Sequence, residues 1–126
     1  VLSSFGEEFG LDRERALRVA GAFGGGMARM GETCGAVTGA LMVIGLKYGK
    51  IKTSDEKARE QTYELVGEFV KRFQSRHGSI VCRELLGYDL SSPDERKAAH
   101  DKGLFTTLCP QLVRDAAEIL GEILEV

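Results

Sequence analysis

Between Glu32 and Lys47 the chain carries no charge for 14 residues, from Thr33 to Leu46. This stretch limits the fold more than any other. It is too short to cross a bilayer, which takes about 20 apolar residues. It is also too apolar to lie on a surface, so it reads as a buried helix around which the other elements must pack. Within it Gly35 and Gly39, and Ala36 and Ala40, recur four apart and share nearly one face. Each glycine costs a helix about 1 kcal/mol relative to alanine. Such a cost is offset where a second backbone packs closely or where a bound group approaches the chain, and packing is the commoner reason.

The flanking segments have helical periodicity and end at glycines. Val1, Leu2, Phe5 and Phe9 form a short apolar face closed by Gly10, and Asp12 can cap a helix carrying Ala16, Leu17 and Ala20. Thr33 or Cys34 starts the uncharged helix. Thr53 and Glu56 have capping-box spacing ahead of the longest helix, whose stripe Thr62, Leu65, Val66, Phe69 and Phe73 faces a core and which Gly78 stops. A short helix spans Ile80 to Leu86, with Ser79 as a cap and Gly87 as its end. Ser92-Pro93-Asp94-Glu95 is a second capping box, and that helix stops at Gly103. The last helix runs from Pro110 to about Glu125, with Leu112, Ala116, Ile119, Leu120 and Ile123 inward. Gly24-Gly25-Gly26 lacks the Gly-Lys-Ser/Thr ending of a phosphate loop and reads as a tight turn. Only Lys47 to Ile51 is ambiguous. The expected fold is all-α: one compact domain over residues 1–126 with five to seven helices and no strand.

At 126 residues with 43% hydrophobic and 29% charged residues, the chain can bury a real core. A net charge of -2 argues against a nucleic-acid binder, and no membrane span is expected. The chain starts at Val1 rather than Met, so its N-terminus is read as a candidate truncation point. Three cysteines cannot all pair within one chain, and a core of this size needs no disulfide staples. A reducing cytoplasmic setting is therefore expected. An odd thiol leaves room for a homodimer or a separate redox partner protein.

The chemistry rests on those cysteines, all placed near helix starts. The N-terminus of a helix carries about half a positive elementary charge, which favours thiolate. Cys34 follows the glycine-rich turn and Arg29, and is expected to be the most reactive. Cys109 precedes Pro110, as a cap would, with Pro110 at the first helical position. Cys82 lies among apolar residues and reads more as a core cysteine. Gly25, Gly26 and Gly35 would let backbone N–H groups approach Cys34 or a bound group. No C-x-x-C pair occurs, and His77 and His100 have no zinc-finger spacing, so any metal site would have to be assembled from distant segments.

Several segments are distinctive together: Gly24 to Met27, the CGAxxG segment Cys34 to Gly39 continuing through Leu41, Gly45 to Gly49, Cys82 to Gly87, Cys109-Pro110, and Val113 to Ala117. Through them the chain resembles, nearly end to end, the family of redox-active proteins known by its cysteine pattern C_GCAxxG_C_C. The resemblance implies redox roles for Cys34, Cys82 and Cys109. In thiol–disulfide exchange Cys34 would attack and Cys82 or Cys109 would resolve. Similar domains occur beside cytochrome-type electron-transfer modules, which implies an alternative in which the same three cysteines ligate an iron–sulfur cluster or zinc. The family's first cysteine falls upstream of the segment matching Val1 to Phe5, so a four-cysteine site would be incomplete in this sequence. A third reading is a non-enzymatic interaction domain using the small-residue helix face.

Overall fold

The computed structural model describes residues 1–125. Seven α-helices account for the regular structure among them: α1 (Leu2–Phe5), α2 (Arg13–Ala20), α3 (Gly35–Tyr48), α4 (Glu56–His77), α5 (Cys82–Leu86), α6 (Pro93–Asp101) and α7 (Leu108–Leu124). A 3₁₀ turn, Gly6–Phe9, follows α1. The all-α single domain expected from the periodicity is the architecture found.

The uncharged run becomes α3 and lies at the centre. Val37, Ala40, Val43 and Ile44 are fully buried, against Phe69 and Phe73 of α4 and Ala116, Ile119 and Leu120 of α7. α1 and α2 close this core through Leu2 and Ala16. The small-residue face of α3 is used for packing. A Cβ on Gly35 would come within 3.3 Å of the Phe23 carbonyl oxygen, and one on Gly39 within 3.3 Å of the Val1 side chain. Leu124 joins the core although the apolar stripe was expected to end at Ile123, which is only half-buried. On α2, Leu17 faces solvent and is 50% exposed.

A second, smaller cluster is built from Cys82, Leu86, Leu90 and Ala99, with Phe105, Leu108 and Cys109 packed against it. Leu108 also touches the main core, so the N-terminal end of α7 lies along the seam between the two clusters. An isolated antiparallel bridge, Thr33 with Val81, ties the start of α3 to the start of α5 across this seam.

The glycine run forms a tight turn, as expected, but of an unusual kind. Gly25, Gly26, Met27, Ala28 and Arg29 have φ of 69°, 68°, 67°, 51° and 69°, one turn of left-handed helix. Three of these residues have side chains that resist this conformation by about 1–2 kcal/mol each. Backbone bonds hold the turn: the Arg29 N–H donates to the Gly24 carbonyl at 3.2 Å, and the Glu32 N–H to the Gly26 carbonyl at 2.9 Å.

Candidate functional site

Cys34 flanks α3 as its N-cap, and its own N–H donates to the Ile80 carbonyl at 2.8 Å. Cys82 opens α5 as its first residue, and its N–H donates to the Glu32 carbonyl at 2.7 Å. The bridge between Thr33 and Val81 lies between these two bonds, so the backbone holds both cysteines in one register. α5 starts later than Ile80 because the Ser79 hydroxyl does not cap it. The Val81 N–H donates to the Ser79 oxygen at 2.9 Å, and that hydroxyl donates to Glu84 Oε2 at 2.5 Å.

Cys109 is not a cap. α7 begins at Leu108 behind Thr107, which puts Cys109 second and Pro110 third. The preceding turn explains the shift: the Thr106 and Thr107 hydroxyls donate to the Gly103 carbonyl, and the Cys109 N–H donates to Leu104 O at 3.0 Å. Pro110 still falls in the first helical turn, where a missing N–H costs no intrahelical bond.

The three cysteines line one cavity of about 240 Å³. Gly25, Gly26 and Gly35, singled out from sequence, line it too. Leu85, Leu86, Leu90, Phe105, Leu112 and Val113 complete an apolar wall with no charged side chain. Gly26 is indispensable to this arrangement, because a Cβ there would lie 2.7 Å from the Cβ of Cys82.

The expected thiolate is not what this environment favours. Burial pushes the Cys34 thiol above its ordinary range, although the Ala36 and Val37 N–H groups pull the other way. No formed cap bond reaches the Cys34 side chain, so the helix start does not overcome desolvation. Burial pushes Cys82 up to about 11, helped by the nearby charges that Cys34 and Cys109 would carry, against a smaller lowering by Arg83. Cys109 is raised by burial and then by Cys34. Arg29, expected to assist Cys34, instead lines a neighbouring groove.

The thiols share a cavity without converging as a ligand set. Among the described residues no group of three or more His, Cys, Asp or Glu side chains is placed to hold a metal ion. The cysteine-ligated iron–sulfur or zinc site that the resemblance implied is therefore not shown by these residues. All three cysteines are free thiols. His77 does not line the cavity, and its Nε2 is 2.9 Å from Asp115 Oδ2 in a contact that lacks hydrogen-bond alignment. His100 is exposed beside Asp101.

Among the described residues no helix is long and apolar enough to cross a membrane. Sequence reasoning did not foresee Leu90 and Phe105 in the cavity wall, since neither lies in a periodic segment. Val113 was accessible, because it lies four residues after Cys109 on the same helix face.

No curated protein and no solved structure matches the chain. Residues 1–123 match the family described as "Putative redox-active protein (C_GCAxxG_C_C)". In the central motif Cys34 precedes Gly35, whereas the family's written pattern has glycine before cysteine. The match spans both clusters and every cavity cysteine, and the chain belongs to the C_GCAxxG_C_C redox-active protein family.

Proposed function

We propose that this protein carries out thiol–disulfide exchange in the cavity, with Cys34 as the attacking thiol and Cys109 as the resolving one. The observation that carries this reading is that all of the chain's cysteines line one small apolar cavity. Cys34 attacks because it is only half-buried and is the cysteine whose thiolate two backbone N–H groups favour. Cys109 is also only half-buried, whereas Cys82 is just 6% exposed and burial pushes its thiol up to about 11.

In the forward direction the Cys34 thiolate bonds to one sulfur of a substrate disulfide. The other substrate sulfur leaves as a thiolate and takes up a proton. The Cys109 thiolate then attacks the Cys34 sulfur of the mixed disulfide, forming Cys34–Cys109 and releasing the second substrate thiol. Two electrons pass from the protein dithiol to the substrate disulfide, and two substrate thiols result. The same steps in reverse oxidise a dithiol. Because burial holds the thiols protonated, the rate should climb with pH through the alkaline range.

Mass spectrometry after mixing with a small disulfide tests the order of events. The wild type should form an internal disulfide. Cys34→Ser should not react at the cavity, and Cys109→Ser should stop at a mixed disulfide on Cys34. If the wild type forms no internal disulfide, or if Cys34→Ser and Cys109→Ser behave alike, the reading fails.

A further inference from the structure

Next to the thiol cavity lies a second, open groove of about 540 Å³. The two share Gly25, Leu90 and Phe105, so one wall separates them. Their chemistry is opposite. The thiol cavity is lined by no charged residue, whereas the groove is lined by Arg29 and Arg96 and by no carboxylate.

Neither arginine has a counter-charge among the described residues. Arg29 ends the left-handed turn at φ 69°, and a Cβ on Gly25 would come within 3.2 Å of its Cγ, so its stem lies over the bare Gly25 Cα. Arg96 is half-buried, and its Nη1 donates to the Leu90 carbonyl at 3.2 Å. Among the described residues neither forms an ion pair; Arg13, Arg18 and Arg114 form none either, but those three do not line this groove. A guanidinium presents a planar fork of donors that suits a carboxylate.

We infer that the groove binds the carboxylate of a small disulfide whose sulfurs enter the thiol cavity, which makes anionic low-molecular-weight disulfides the substrate class. This inference rests on the exchange reading above. Charge would select the substrate in the groove while the cavity itself stays apolar. The turn at Gly25 to Arg29 has a part in both: Gly25 belongs to the shared wall, and Arg29 extends into the groove.

Two reporter disulfides separate the two ideas. Dithiobis-nitrobenzoate carries a carboxylate on each ring, and dithiodipyridine carries none at neutral pH. The paired variant Arg29→Gln with Arg96→Gln should slow the anionic reagent about tenfold and leave the neutral one within about twofold, because removing one partner of a charge-assisted contact costs roughly this much. Lysine at both positions should recover only part of the loss, since it restores the charge but not the planar fork, and added salt should mimic the glutamine variant. Equal rates for wild type and glutamine variant with the anionic reagent, or an equal loss with both reagents, would overturn the inference. Failure of the exchange reading looks different: the wild type forms no internal disulfide with the neutral reagent. In that case the variant lacking all three thiols, Cys34→Ser with Cys82→Ser and Cys109→Ser, decides the groove, once circular dichroism shows that it is helical. Equilibrium dialysis should show dithiobis-nitrobenzoate binding to it at least fivefold more weakly when both arginines are glutamine, and no difference sinks the anion site. If the serine variant does not fold, the same dialysis on wild type with nitrobenzoate, which has no disulfide, gives the same two outcomes.

Discussion

A methyl group at Gly26 would lie 2.7 Å from the Cβ of Cys82 and 2.7 Å from the Glu32 nitrogen, at a φ of 68°. Neither the backbone nor the first carbon of a buried side chain can swing away, so Gly26→Ala should cost about 3 kcal/mol, combining overpacking with left-handed strain. Gly24, two residues earlier, meets nothing within 4 Å and has no positive φ, so Gly24→Ala should shift stability by less than about 0.5 kcal/mol. Urea denaturation of the two variants compares them directly. The same contrast shows what was readable at this scale. Cys34, Gly25, Gly26 and Gly35 could be picked out because residue type and spacing are local properties. The ionisation state of the thiols could not. The helix-start argument supplies a favourable partial charge, but the opposing desolvation comes from Leu86, Leu90, Phe105 and Leu112, which converge from distant parts of the chain.

Helix α4 is capped by Asp55, whose Oδ1 accepts from the Ala58 N–H at 3.0 Å, and not by Thr53 as the capping-box spacing suggested. Both residues can cap, and sequence spacing alone favoured the one with glutamate three positions on. Asp55→Ala should cost about 1 kcal/mol and Thr53→Ala less than about 0.5 kcal/mol in thermal denaturation. The second box is half-formed. Ser92 accepts from the Glu95 N–H at 3.4 Å, while the Glu95 carboxylate takes the Asp89 N–H and not that of Ser92. Elements with a long apolar stripe were legible: α3, α4 and α7 follow directly from the uncharged run, from Phe69 and Phe73, and from Leu112 to Leu120. The C-terminal ends were legible too, since Gly78 and Gly87 adopt the left-handed geometry that closes α4 and α5. Starts were harder, because at Asp55, Val81 and Thr107 the boundary depends on which loop carbonyl or hydroxyl reaches the chain first.

Across the whole molecule the thiols lie at the seam of two hydrophobic clusters, and this ties stability to pH. Folded-state values above the ordinary thiol range near 9 mean that the unfolded chain releases these protons first. Stability from this source is complete below that range and is lost as pH rises toward about 11, where Cys82 ionises in the folded state. The urea midpoint should therefore fall between pH 9 and about 11, and Cys82→Ala should flatten that fall relative to wild type. A midpoint with the same slope in both proteins would contradict the assignment. The existence of two clusters was not legible, since the smaller one draws on Leu90, Ala99 and Phe105 from a region with little periodicity. Surface charges join the larger elements: Arg72 of α4 reaches Glu122 of α7 at 3.2 Å, and Arg76 reaches Glu118 at 3.3 Å. The contact between Thr33 and Val81 has a different consequence. Two backbone hydrogen bonds, each under 3 Å, flank it and fix Cys34 relative to Cys82. The spacing of these two cysteine backbones is thus written in peptide groups, so it does not depend on which side chains occupy positions 33 and 81.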